Sequence, residues 1–191
     1  LGSIDQEKGR IASLSFSSTY VPHDTSTKKM YTKINGNFSY GFLLPIVDHL
    51  PFWIRTSAGY SSVGDDHSMD PNSSFGEFYF GGFGNNWIDH QGIKRYREYY
   101  TFPGADITSI GATNYVRIMG ELILPPLRFR HVGTPFFYLN WARMSLFSSV
   151  LQGRDMYSYT NDGEKMIRFK NIGVQVDIRL VLFSYMQSTL S

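Results

Sequence analysis

The sequence predicts an all-β protein, and three observations carry that prediction. Apolar and polar residues alternate with a period of two over several long stretches, as they do when a strand shows different faces to two environments. Almost no helical periodicity separates those stretches. Composition agrees: 191 residues with 18 Gly, 13 Tyr and 15 Phe suit strands and turns better than helices.

From Gly9 to Val21, Ala12, Leu14, Phe16 and Tyr20 oppose Ser13, Ser15, Ser17 and Thr19, and Pro22-His23-Asp24-Thr25-Ser26 follows as a turn. In Lys28–Leu44, Met30, Ile34, Phe38, Tyr40 and Phe42 face Lys29, Lys33, Asn35, Asn37 and Ser39. Beyond the short Pro45–Pro51 connection, Phe52, Ile54, Ala58 and Tyr60 oppose Trp53, Arg55, Ser57 and Ser61. Gly64–Ser73 is a polar loop.

The next stretch organises the rest. Two alternating strands, Ser74–Gly84 and Thr113–Leu124, flank a long loop, Asn85–Ala112, that holds the cluster Ile93-Lys94-Arg95-Tyr96-Arg97-Glu98-Tyr99-Tyr100. In the first strand Phe78 and Phe80 oppose Glu77 and Tyr79. In the second, Val116, Ile118, Leu122 and Leu124 share one face, while Tyr115, Arg117, Met119 and Glu121 share the other. Pro125-Pro126 is expected to end pairing, since proline cannot donate to a ladder. Thr134–Phe147 is a less regular strand, and Ser148–Met166 reads as a second long loop. The last strand is the clearest, with Ile172, Val174, Val176, Ile178, Leu180 and Leu182 against Gly173, Gln175, Asp177 and Arg179.

Composition narrows the classes. A net charge of +2 makes no electrostatic case for nucleic acid, and the lack of Cys removes disulfides and thiolate metal sites. No apolar run approaches the roughly 18 residues of a membrane helix, but a barrel strand needs only about 9–11 with every second one apolar. No signal peptide is visible. The abrupt opening at Leu1-Gly2-Ser3 and the stop at Leu190-Ser191, where another strand begins, predict a piece of a longer protein.

Alternation alone also suits a soluble sandwich or small barrel with its apolar face inward. Three features favour the opposite orientation. The strands run to about 11–17 residues, against about five or six on average in soluble proteins. The polar faces mix both charges at Arg55, Glu77, Arg117, Glu121, Arg143, Asp177 and Arg179, as a wet, self-paired wall would. Aromatic residues (Tyr20, Tyr31, Phe52, Trp53, Phe136, Phe137, Phe183 and Tyr185) gather near strand ends, where membrane girdles sit. A register slip by one residue would turn Arg117 and Arg179 toward lipid, at roughly 2–4 kcal/mol each near the midplane. The expected fold is therefore an antiparallel transmembrane β-barrel, of which residues 1–191 supply about seven meander strands. An odd, unclosed set leaves backbone groups unpaired in lipid, so these strands belong to a larger barrel.

The run Phe75-Gly76-Glu77-Phe78-Tyr79-Phe80-Gly81-Gly82, followed by Gly92-Ile93-Lys94-Arg95-Tyr96, resembles a motif pair of one family. That family is the superfamily of outer-membrane insertases and two-partner secretion porins, the bacterial surface antigen barrel of the BamA, TamA and FhaC type. Tyr115–Leu124 resembles the family's next strand, and Tyr138-Leu139-Asn140-Trp141-Ala142 stands where its "F-x-D-x-G" strand would fall. The resemblance implies roughly the eighth to fourteenth of sixteen strands, with the long loop folded back into the lumen. It makes Ile93, Lys94, Arg95 and Tyr96 the lumen-loop motif, and Glu77, Arg117, Glu121, Asn140, Asp177 and Arg179 candidate wall partners. The departures are chemical. Lys94 replaces the motif arginine, Arg95 its glycine, Asn140 the wall aspartate and Ala142 the motif glycine. Lys94 against neutral Asn140 is a weaker contact than Arg against Asp. Alternatively, Arg95 or Arg97 takes over, paired with Glu77, Glu121 or Asp177.

Other chemistry finds little support. Asp65, Asp66, Asp70 and Asn72 form a carboxylate-rich loop without the spacing of a calcium loop. The five histidines lack paired zinc spacing, and Gly81-Gly82-Phe83-Gly84 opens no helix, so a dinucleotide site fails. The serines have no His/Asp arrangement for a hydrolase triad. Glu77 and Glu121 suit ion pairing along a wall better than acid–base catalysis. The expectation is a non-catalytic outer-membrane barrel without cofactor or metal, whose partners are lipids, unfolded client polypeptides and other assembly subunits. A passive pore or anchoring barrel, and a soluble β-sandwich with a binding role, are the rivals.

Overall fold

Long alternating runs can satisfy their backbone groups only by lying beside one another, and the computed structural model pairs them in this way. The structure describes residues 7–21, 29–46, 48–62, 77–82, 95–134, 136–155, 166–182 and 186–190. They form β1 (Gly9–Val21), β2 (Lys29–Leu43), β3 (Pro51–Ser61), β4 (Phe78–Phe80), β5 (Ile110–Ile123), β6 (Leu127–Thr134), β7 (Phe137–Asp155), β8 (Met166–Leu182) and β9 (Met186–Leu190). All belong to one antiparallel sheet in the order β1-β2-β3-β5-β7-β8-β9, which does not return on itself. Among the described residues no α-helix forms, and none is long and apolar enough to cross a membrane.

The two faces are inverted relative to an ordinary core. On β5, Thr113, Tyr115, Arg117, Met119, Glu121 and Ile123 are buried, whereas Val116 and Ile118 are about half exposed. On β8, Ile172 is 87% exposed while Asp177 is buried at 2%. On β7, Trp141, Arg143, Ser145, Phe147, Ser149 and Leu151 are buried, and Met144 and Leu146 are exposed. Cross-strand register extends this across the sheet: Trp53 lies opposite Glu121, Glu121 opposite Phe147, and Phe147 opposite Gly173. The outward column of these strands is largely apolar as expected, and the buried column carries the charges together with Tyr115, Met119, Ile123, Trp141, Phe147 and Leu151.

Several sequence expectations need correction. The strand anticipated at Ser74–Gly84 is reduced, among described residues, to Phe78–Phe80 with an isolated bridge from Gly82 to Phe102. It fills no column of its own: β3 pairs with Asn114–Leu122 of β5, and β4 continues along the same edge opposite Ile110–Ala112. Its apolar face is also turned inward. Phe78 and Phe80 pack edge-on to Tyr115 in a buried cluster with Phe102, Ile110, Ala112 and Leu151. The alternation of three residues could not say which face would be covered.

Pro125-Pro126 interrupts pairing without ending it. β5 and β6 lie along the same edge of β7, Ile123 opposite Ser145 and Leu127 opposite Ala142, so the chain pauses at the prolines and resumes. The irregular strand begins at Phe137, not Thr134, and runs to Asp155, so much of the expected 148–166 loop is strand. Ladder partners on both sides, β5 and β8, hold Ser148–Gly153 extended although their polarity suggested a loop. The 85–112 loop likewise ends early, at Ile110. Tyr31 and Trp53, assigned to an outer aromatic girdle, are buried on the ionic face. Phe183 and Tyr185 lie outside the described residues.

Candidate functional site

The ionic face of β3, β5, β7 and β8 is crossed by the segment 95–109, here termed the strap. Arg95–Arg97 forms a 3₁₀ turn. Successive side chains of such a turn point about 120° apart, and that of Tyr96 is driven fully into the sheet, with 0% exposure. Its ring stacks on Phe147 at 4.3 Å between centroids and an 11° interplanar angle. Phe147 itself lies over Gly173, where an added Cβ would meet the ring at 2.3 Å. The Tyr96 hydroxyl donates to Glu121 Oε1. Burial first, and the adjacent Glu121 charge second, raise the Tyr96 pKa well above that of an ordinary phenol, which keeps the hydroxyl a donor.

Glu121 is the node of the attachment. It is fully buried and receives Arg97 Nη2 at 2.6 Å on Oε1 and Arg55 Nη2 at 3.1 Å on Oε2. Arg55 is half-buried on the neighbouring strand β3, its guanidinium 4.7 Å from the Trp53 ring centroid. A carboxylate bridging two guanidiniums satisfies the donor geometry that makes such pairs strong. Arg117, four residues earlier on the same face, donates to the strap's backbone: Nη1 to Glu98 O, and Nη2 to Tyr96 O at 3.1 Å.

The far end of the strap is tied to β8 and β4. Asn171 Nδ2 donates to Pro103 O at 3.1 Å while its Oδ1 accepts from the Ser149 amide and hydroxyl. The amides of Gly81 and Gly82 donate to Tyr100 O at 3.1 Å and Ala105 O at 2.8 Å, and Phe102 N returns a bond to Gly82 O. Only glycine permits this approach. A Cβ on Gly81 would stand 1.9 Å from Asp106 O, and Gly82 has φ +62°. Between the strap and β1–β3 remains a cavity of about 620 Å³, lined by Asn37, Ser39, Ser57, Arg55, Arg97 and Arg117 among others.

Of the expected loop motif, Ile93 and Lys94 lie outside the described residues, Arg95 is described only in its backbone, and Tyr96 is the deeply held residue. The wall partners divide. Glu121 and Arg117 grip the strap. Glu77 is buried beside it, accepting the Tyr79 hydroxyl, and its backbone oxygen accepts Lys33 Nζ at 3.2 Å. Asp177 pairs instead with Arg143 across β7–β8 at 3.1 Å and accepts Gln175 Nε2 at 2.8 Å. Arg179 lies half-buried on β8 opposite Trp141. Asn140 sits half-buried where the β7–β8 register shifts, with no residue directly opposite it. Of the pairings the sequence left open, Arg97 with Glu121 is present, and those of Lys94 and Arg95 lie outside the described side chains.

Asn171 and Phe147 were not anticipated as strap contacts, nor Arg55 as a partner of Glu121. A polar Asn171 and a bulky Phe147 on the inward column were readable as face assignments, but nothing local reveals that a segment dozens of residues away lands on them. Among the described residues no cluster of His, Asp and Glu could hold a metal. The Asp65–Asn72 loop lies outside them, and His49 pairs with Glu7 at 3.2 Å. Comparison with family models, curated proteins and solved structures finds no match.

Proposed function

We propose that this sheet is wall of an outer-membrane β-barrel of the insertase and secretion type, its apolar face on lipid and its ionic face on an aqueous lumen into which the strap is folded. The carrying observation is the inversion of burial: one face presents Leu14, Phe16, Ile118, Ile172 and Val174 outward, while Arg117, Glu121, Arg143 and Asp177 are buried on the other. Water-soluble monomers rarely expose contiguous apolar patches above a few hundred Å², and this one spans six neighbouring strands, β1, β2, β3, β5, β7 and β8.

The apolar band also slants. At a single register level Arg10 lies opposite Tyr40, Tyr40 opposite Ile54, Ile54 opposite Gly120, Gly120 opposite Ser148 and Ser148 opposite Ile172. In β1 the apolar column lies to one side of that level, from Ala12 to Tyr20. In β8 it lies to the other, from Ile172 to Leu180, with Lys170 and Arg168 beyond it. A level band across strands tilted about 35–45° from the membrane normal has this staggered appearance in register coordinates. In lipid both edges of the open sheet require partner strands, so the reading calls for a barrel completed by further strands.

The strap favours a polypeptide-handling barrel over a passive pore, because three buried arginine contacts fix it across the wall. Both oxygens of Glu121 are occupied by donors, so in this reading that carboxylate is an anchor for the strap and not a general base. The full-length protein, reconstituted in vesicles, is expected to float with the lipid and to speed the folding of an added outer-membrane client polypeptide. The double variant R97Q/E121Q keeps flotation and loses most of that acceleration. Acceleration unchanged in the variant removes the strap from the mechanism. Protein that stays with the buffer removes the membrane reading itself.

A further inference from the structure

The outward face carries a second feature that lipid contact alone does not require. Gly120 and Ser148 are register partners, with Ile172 opposite Ser148 on the next strand. The row on one side is Phe52, Leu122, Leu146 and Val174, and the row on the other begins with Ile118 and Val150. Two adjacent positions with little or no side chain, between rows of large aliphatic ones, make a furrow. Phe52 leans over it, 3.3 Å from where a Gly120 Cβ would stand. Its volume is about 650 Å³, within the roughly 300–1,000 Å³ of small-molecule sites.

One end of the furrow is cationic. Val150 lies opposite Lys170 and Gln152 opposite Arg168, and both cations are exposed on the same outward column as Ile172 and Val174. Residues two apart on a strand stand about 6.6 Å apart, a spacing at which a single phosphate can reach both. Arg168 and Gln152 line the furrow itself, and among the described residues no carboxylate does. A hydrocarbon trough that ends at two cations matches an amphiphile with an acyl chain and an anionic head.

We propose that this furrow is a binding site for one anionic phospholipid, its acyl chain over Gly120 and Ser148 and its phosphate between Arg168 and Lys170. The site rests on the reading of the apolar face as lipid-facing. Its test separates the two. The full-length protein is reconstituted into vesicles of phosphatidylcholine doped with spin-labelled phosphatidylglycerol or spin-labelled phosphatidylcholine, flotation is scored first, and the motionally restricted lipid fraction is then measured. Expected is a clear preference for phosphatidylglycerol, falling about fivefold for each cation neutralised in R168Q and K170Q. S148L, which fills the trough, lowers the restricted fraction of both lipids. R10Q, an outward cation on β1 remote from the furrow, leaves the preference unchanged. Protein that floats but restrains both lipids equally, or whose preference survives R168Q/K170Q, overturns the site and leaves the membrane reading standing. Protein that does not float overturns both.

Discussion

Removing the carboxylate of Glu121 strips a partner from Arg55, Arg97 and Tyr96 at once. Glu121→Gln keeps the shape and leaves two largely buried guanidiniums without a counter-charge, for which about 3–5 kcal/mol is the usual cost of breaking a buried pair. Thermal unfolding and protease cleavage within residues 95–102 are expected to report this as a lower melting point and faster cutting. R97Q/E121Q should recover part of the loss, since it removes one stranded cation; a double variant worse than the sum of the singles would contradict the pairing. Tyr96→Phe deletes one hydrogen bond to a charged group, about 1.5–3 kcal/mol, while the stacking on Phe147 persists. The sign of the pH dependence follows from the raised Tyr96 pKa. Its contribution is complete below the unfolded value of about 10, and is lost only as pH climbs through the higher folded value. Strap protection should therefore be flat from neutral pH to about 10 as far as this group is concerned. A protection midpoint near neutral pH that disappears in Tyr96→Phe would contradict it.

At the scale of elements, the strap depends on backbone approach as much as on charge. Gly81→Ala places a methyl group 1.9 Å from Asp106 O in a conformation with φ +149°, so β4 and residues 100–106 must separate. The expected outcome is the loss of amide-exchange protection at Gly82 and Phe102, with protection in β7 and β8 retained. Uniform loss across the sheet would mean that the strap is integral to folding, not docked upon it. Much of this element was legible beforehand: the paired glycines, the aromatic–basic cluster and the length of the loop all marked it. The identity of its acid partner was not. Glu77, Glu121 and Asp177 were equivalent as inward acids on paper, and only the landing point of Tyr96 over Phe147 selects Glu121.

For the whole molecule, the decisive question is what touches the exposed apolar face. Val174 is 59% exposed. On a surface that meets water, Val174→Arg should change stability by no more than about 0.5 kcal/mol. On a surface that meets the bilayer midplane it costs roughly 2–4 kcal/mol. Equilibrium folding of the full-length protein into vesicles, with and without the substitution, distinguishes the two, and a cost near zero would remove lipid from that face. A substitution at Lys170, at the end of the band, is expected to be much milder.

Alternation of side chains determined the β class, the extended strands and the membership of each face, because a pleated strand sends successive side chains to opposite sides whatever its neighbours are. Phe78 and Phe80 mark the limit of that logic: period two separates two faces but does not say which one another part of the chain will cover. The same holds for Ser148–Gly153, extended by its ladder partners, and for the prolines, across which pairing resumes because β7 supplies a continuous edge. Those outcomes, with the choice of Glu121 and Asn171 as anchors for the strap, were decided by tertiary structure. They depend on distances between residues far apart in the chain, and local periodicity carries no information about such distances.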